Sequence, residues 1–372
     1  MTGDVLTTRA LNRATLERQL LLRRSPMPVR DAVEHLVGLQ AQVPLNPYVG
    51  LWSRLERFDP AVLGQLMIDR VVVRIVVMRG TLHLVTADDC LLLRPLVQPV
   101  LDGELARHSE YAVSLVGVDI DSVLAFVRPL LAERPLTGPQ LRAVIAAQFP
   151  HLHAAALAYA CRNRLPFVQV PPRGIWGRSG QVASTTAEAW LGRPLVADGS
   201  IDDVVLRYLR AFGPASAADA AAWSRLTGFR EVLDRLRPQL RPFRDERGRE
   251  LFDLPEALRP DPDTPAPPRF LPEYDNVLLS HADRTRFVDP RHASIRWDAL
   301  IGRGTVLADG LIAGTWHIDR DRNDGRSTLF VHHLPHLTKR ALQPIASEAK
   351  RFVRFHEGTA AAHEVRFVAS AG

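Results

Sequence analysis

Residues 134–170, RPLTGPQLRAVIAAQFPHLHAAALAYACRNRLPFVQV, hold the order of elements that decides the fold. Thr137 stands where an N-cap is needed and Pro139 where a first helical turn accepts proline, so a helix is predicted from Pro139 to about Gln148. A second helix is predicted from Ala154 to Arg164. Residues 166–170 read as a strand, Pro171-Pro172-Arg173-Gly174 as a turn, and Ile175 with Trp176 as a short return strand. Upstream, residues 121–132 place Val123, Leu124, Val127, Leu130 and Leu131 at helical spacing. Three helices followed by a two-stranded hairpin is the order of a winged-helix unit.

The order recurs downstream. Ser200 caps a predicted helix running to Phe212, helices follow at 217–226 and 229–236, and residues 240–244 and 250–254 form a hairpin around Glu246-Arg247-Gly248. A less regular copy stands upstream, with helices at 12–23, 28–39 and 60–69 and strands at 71–78 and 81–85. Helices from Ala87 to about Glu110 link it to the next unit. After Leu254 a passage with Pro255, Pro260, Pro262, Pro265, Pro267 and Pro268 reads as an extended connector. Beyond it, β-like runs are predicted at 277–279, 305–307, 311–318, 327–332 and 364–369, with a hairpin turn at Asn323-Asp324-Gly325. One helix, 338–355, interrupts them. The expected fold is α+β: three tandem winged-helix units (1–115, 116–197 and 198–258), then a C-terminal β-barrel-like domain (259–372).

Composition bounds the function. The 372 residues are 46% hydrophobic and 24% charged, enough to build several cores. The net charge of +6 favours polyanionic partners. Among the 47 cationic side chains only Lys339 and Lys350 are lysine. A GC-rich coding sequence explains that bias, and so does phosphate contact by planar guanidinium groups; the two are compatible. Cys90 and Cys161 lie in apolar helical stretches and are expected to be buried thiols. No apolar run approaches a membrane span, and no secretory signal pattern opens the chain, so a soluble cytoplasmic protein is expected.

A helix-turn-helix with a wing places its third helix in the major groove, so duplex DNA is the expected partner. Arg173 and Arg178 flank the second hairpin. Arg244, Arg247 and Arg249 line the third, and Arg320, Arg322 and Arg326 surround the C-terminal one. All eight are candidate phosphate contacts, although charge runs also serve as solvated faces. No Gly-rich phosphate loop, nucleophile elbow or HExxH occurs. His332, His333 and His336 cluster without a fixed carboxylate nearby, so neither a metal nor a cofactor is expected. His83 is expected to face the core. Gly38-Leu39-Gln40-Ala41-Gln42 reads as the polar end of a helix facing water. No dimerisation heptad is visible, and a monomer is expected.

Four stretches carry a resemblance: Gly38–Gln42 (GLQAQ), Arg79–Val85 (RGTLHLV), Leu271–Asn276 (LPEYDN) and Ala313–Trp316 (AGTW). Together, and in this order, the chain resembles the bacterial winged-helix DNA glycosylases typified by AlkZ and YcaQ. The resemblance implies tandem winged helices and a β-barrel around a DNA-sized channel. Gln-x-Gln, as opposed to Gln-x-Asp, marks the AlkZ-like branch. It implies Gln40 and Gln42 as catalytic residues of a monofunctional glycosylase acting on N7-alkylated purines in duplex DNA, interstrand cross-links included. A transcription regulator or a protein-interaction scaffold is the competing reading of the winged-helix pattern alone.

Overall fold

The computed structural model describes residues 4–289, 302–321 and 324–369. Strand β1 (Val5–Leu6) precedes a helix at Thr8–Arg18, whose N-cap Thr7 accepts from the Ala10 N–H. A short helix, Val29–His35, ends where Val37 and Gly38 turn left-handed (φ 53° and 88°). The chain then enters β2 (Leu39–Gln40), so the predicted helix end is a strand. A helix at Asn46–Arg54, which the sequence reading passed over, and one at Pro60–Ile68 lead to β3 (Val72–Val76) and β4 (Leu82–Thr86). Helices Ala87–Leu96 and Gln98–Arg107 lead to the second helical group.

That group is Ile120–Glu133, β5 (Leu136–Thr137), Gly138–Gln148 and Ala154–Arg164. Thr137 is the N-cap that the quoted stretch predicts, and it closes a full capping box with Gln140. Strand β6 (Phe167–Gln169) follows, but its partner is β7 (Ala183–Thr186) and not Ile175–Trp176. Tyr48 is the reason. Its hydroxyl donates to the Gly174 carbonyl (2.9 Å) and accepts from the Trp176 N–H (3.1 Å), holding backbone groups that a return strand at that point would need.

In the first two groups the hairpins do not stand apart. β3 pairs with β6 (Arg74 with Gln169, Ile75 with Val168), giving one six-stranded sheet of order β2-β4-β3-β6-β7-β5. The third group keeps its predicted order: helices Ile201–Phe212, Ala217–Ser224 and Phe229–Leu236, then β8 (Arg241–Asp245) and β9 (Glu250–Asp253). Here β1 adds in parallel to β8. One apolar core joins Val73, Ile75, Val85 and Val168 of the six-stranded sheet to Tyr208, Phe212 and Trp223 of the third group.

The proline-rich connector packs on the first helix: Arg9 Nε donates to the Pro262 carbonyl (2.8 Å) and Arg13 Nε to that of Thr264 (2.7 Å). It leads into β10 (Arg269–Leu271), then β11 (Gly304–Ala308), β12 (Leu311–Arg320), β13 (Arg326–His333) and β14 (Ala362–Ala369). Residues 277–279 are helical (Asn276–Leu279, capped by Asp275) and not a strand. The expected barrel is an open five-stranded sheet with β10 and β14 as its edges. The helix Lys339–His356 connects β13 to β14, which makes that pair parallel. It covers one face through Ile345, Ala349, Phe352 and Val353. Among the described residues no helix is long and apolar enough to cross a membrane.

Candidate active site and DNA-facing cleft

Strand alternation gives Gln-x-Gln its physical sense. Leu39 and Ala41 are buried in the core that holds Val72 and Leu84, and the period of two sends Gln40 the other way. Gln40 is 7% exposed and lies opposite His83 in the ladder. Its Oε1 accepts from Arg79 Nη2 at 2.8 Å. Arginine can only donate, so that contact fixes which end of the amide faces it and leaves the Nε2 hydrogens for another partner. Gln42 is exposed and makes no side-chain hydrogen bond among the described residues.

Arg79 is the hub of this arrangement. Its backbone is left-handed (φ 59°), an unfavourable state for a residue with a Cβ. Nη1 donates to the Trp223 carbonyl (2.7 Å) and Nη2 contacts His83 Nε2 (3.2 Å). His83 is buried, as expected. Its Nδ1 lies 2.9 Å from the Thr81 carbonyl, so Nδ1 carries the proton and Nε2 accepts from Arg79. Burial, then the adjacent Arg79, pulls its pKa down to about 3, and burial lowers Arg79 to about 10. At neutral pH the imidazole is neutral and the guanidinium charged.

The Gln-x-Gln backbone is clamped on both sides. Ala41 N donates to the Leu82 carbonyl (2.7 Å) and Arg74 Nη2 to the Ala41 carbonyl (2.8 Å). Asn276 Nδ2 donates to the Gly38 carbonyl (2.7 Å), and Asn46 Nδ2 to that of Glu273 (2.7 Å). A side chain at Gly38 would put its Cβ 2.7 Å from Val85 Cγ1. Asp275, between those anchors, takes a two-pronged bond from the fully buried Arg54 (2.8 and 2.9 Å). Trp316 Nε1 donates to the Leu271 carbonyl (2.8 Å), and the space Gly304 leaves is filled by the Trp316 ring. Two of the other signature stretches therefore touch the Gln40 strand directly, and Ala313–Trp316 joins them through Leu271.

Beside it opens a cleft of about 770 Å³. Its walls include Val43 to Asn46, Glu273, the turn with Arg173 and Arg178, and Trp316, His317 and Arg320 of the five-stranded sheet. Of the eight candidate arginines the structure thus brings three together. Arg178 is exposed with no side-chain partner among the described residues, and Arg173 Nη1 reaches only the Gly180 carbonyl (3.4 Å). Arg320 forks onto Glu357 (2.7 and 2.6 Å), which helps pull that carboxyl down to about 2.

Four of the others, Arg244, Arg247, Arg249 and Arg326, stand off the cleft. Arg244 Nη1 donates to the Gly248 carbonyl (2.8 Å), Arg247 lies 3.7 Å from Asp283, and Arg249 bridges Asp245 and Asp283. Arg326 lies 3.4 Å from Asp324 and 3.9 Å from Glu364. Arg322, like Asn323 of the predicted turn, falls outside the described residues. His332 Nε2 contacts His317 Nδ1 (3.2 Å) across the sheet, and His333 Nδ1 its neighbour's carbonyl. Cys90 and Cys161 are buried, with their thiols pushed up to about 12. Reading the residues one at a time missed Arg79, Asn276 and the Arg54–Asp275 pair; Arg79, Asp275 and Asn276 were signalled by membership in the signature stretches, and Arg54 by nothing in the sequence.

Comparison with curated protein sequences returns no match. Among solved structures, the Streptomyces sahachiroi DNA glycosylase AlkZ is similar in fold, with a TM-score of 0.78 and 22% identity, covering 98% of this chain and 100% of that one. The family model described as "DNA glycosylase AlkZ-like" matches residues 33–355. The chain belongs to the AlkZ-like DNA glycosylase family.

Proposed function

We propose that this glycosylase hydrolyses the N-glycosidic bond of N7-alkylated purines in duplex DNA, bulky adducts and interstrand cross-links included, with Gln40 and Gln42 as its catalytic residues. One observation carries the reading: two neutral amides at strand spacing, one held by a partly buried cation and one open beside an arginine-lined cleft. An N7-alkylated purine already carries positive charge. Breaking C1′–N9 sends the electron pair into the ring and leaves a neutral base, so no strong general acid is required. Water bonds to C1′ and its proton passes to solvent. The enzyme's task is to place that water and offer negative dipole ends to an oxocarbenium-like sugar.

On this reading the two amides divide that task. Arg79 occupies Gln40 Oε1, so Gln42 is the amide with a free carbonyl for the water, and Gln40 Nε2 is available to orient it or the sugar. Three tandem winged-helix units supply the duplex-binding surface, with Arg173, Arg178 and Arg320 as first contacts and the remaining candidate arginines as further ones. An open cleft suits lesions tied to both strands, which resist extrusion into a tight pocket. Such activity fits self-resistance to a DNA-alkylating natural product, exercised by a monomer. The test is base release from duplexes carrying N7-methylguanine, a bulky N7 adduct or a cross-link. Release from all three is expected; no release from any, beside an active control enzyme, overturns the reading.

A further inference from the structure

Glu273 stands out among the residues that the proposed reaction leaves unused. It lines the same cleft as Arg173, Arg178 and Arg320, yet its side chain has neither a hydrogen bond nor an ion pair among the described residues. Its backbone is locked to the site by two clamps. Asn46, four residues beyond Gln42, donates to its carbonyl, and Asn276, three residues beyond Glu273, donates to Gly38, two residues before Gln40. The Arg54–Asp275 pair fixes the segment from below. Glu273 is half-buried, and partial loss of water raises its carboxyl above the usual range while no cation pulls it back.

A lone carboxylate is a poor choice for a groove that receives phosphates. It repels the DNA backbone and weakens association through the very field the arginines create. None of the three arginines in the same walls pairs with it. What such a group would favour is positive charge without phosphate. Within damaged duplex DNA that means the alkylated purine ring itself and, once C1′–N9 breaks, the sugar that inherits the charge.

Resting on the base-release reading above, we propose that Glu273 is a specificity-determining residue that selects lesions by their positive charge. The amides of Gln40 and Gln42 serve any substrate whose base leaves readily. The carboxylate makes the cleft prefer a cation over an equally shaped neutral base.

The test has two arms with the full chain, comparing wild type with Glu273→Gln and Glu273→Asp. In the first, single-turnover release of N7-methylguanine is expected to fall about 10-fold or more in Glu273→Gln, in line with loss of one charge-stabilising contact. Glu273→Asp should retain part of the rate, and affinity for undamaged duplex should stay equal or tighten. Retention of the wild-type rate by Glu273→Gln overturns the proposal. In the second arm, affinity is measured for duplexes carrying a cationic pyrrolidine abasic analogue and the neutral tetrahydrofuran analogue. Wild type should prefer the cationic one and Glu273→Gln should lose that preference; equal affinities in wild type overturn the proposal. If wild type releases no base, the proposed reaction fails, and the binding arm still decides Glu273 either way.

Discussion

The two upstream hairpins and the downstream one begin from the same element order and end in different roles. β3–β4 and β6–β7 fuse edge to edge through Arg74–Gln169 and Ile75–Val168, and the fused sheet carries Gln40 on its outer strand. β8–β9 instead recruits β1, and its arginines are engaged by Asp283, Asp245 and a backbone carbonyl. A repeat in order is therefore not a repeat in function. A hairpin that gives up its edge to a neighbour can no longer move as a free wing, but it gains the rigidity that positioning two amides requires.

The largest effect that would sharpen this contrast lies in the clamp beneath the fused sheet. Asp275→Ala leaves Arg54 buried and unpaired, and about 3–5 kcal/mol of stability should be lost in urea unfolding. Arg244→Ala, on the exposed face of the downstream hairpin, should stay within about 0.5 kcal/mol of wild type. Comparable losses would break the distinction between a rigid site and a tolerant flank.

Next comes chemistry. Gln42→Ala should lower single-turnover release of N7-methylguanine by about 100-fold with duplex affinity near wild type. Gln40→Ala should act similarly, and Arg79→Ala should follow Gln40→Ala because it frees that amide. If affinity falls in step with rate, the strand is a binding surface and not a catalytic one.

Acid titration should separate the regions more gently. His83 takes up its proton at about 3 in the folded chain and near 6.5 when unfolded. Between those values the unfolded chain holds more protons, so stability declines as pH falls through that window. His281, which follows the helix Asn276–Leu279 and meets the Phe212 carbonyl of the third helical group, behaves alike. Glu357 adds a loss below its unfolded value of 4.5, complete only as pH falls through about 2. Melting temperatures measured from pH 7 to 4 should fall less steeply in His83→Gln than in wild type; parallel slopes would show that the site histidine is not the group being titrated.

The smallest effect concerns phosphate contact. Arg178→Ala should reduce the slope of log affinity against log salt by about 1, and Arg247→Ala by less, since Asp283 already engages it. Equal reductions would return the downstream hairpin to the DNA interface.

Much of this fold is legible in the sequence because it depends on local signals. Thr137 and Ser200 cap helices where expected, and Phe229–Leu236 is read to the residue. What escapes is non-local. Nothing near Val168 announces that it will lie beside Ile75, and β10 and β14 remain edges where closure was expected. The site escapes for a related reason. Leu39 and Ala41 against Gln40 and Gln42 form a period-two pattern, but five residues beside a helix are too few to declare a strand. The clamps from Asn276, Asn46 and Asp275 join positions more than two hundred residues apart.

The parallel pairing of β1 with β8 has a consequence for how the chain is made. Val5 and Leu6 meet Arg244 and Asp245, and the Arg244 N–H donates to the Asp4 carbonyl (3.0 Å). On a translating ribosome, β1 waits for its partner while the roughly 240 residues between the two strands are synthesised, on the order of ten seconds or more. Until then its exposed edge is available to chaperones or to another nascent copy. Docking of this short strand must wait for β8, and mRNA features that slow synthesis between the two strands would lengthen its vulnerable interval.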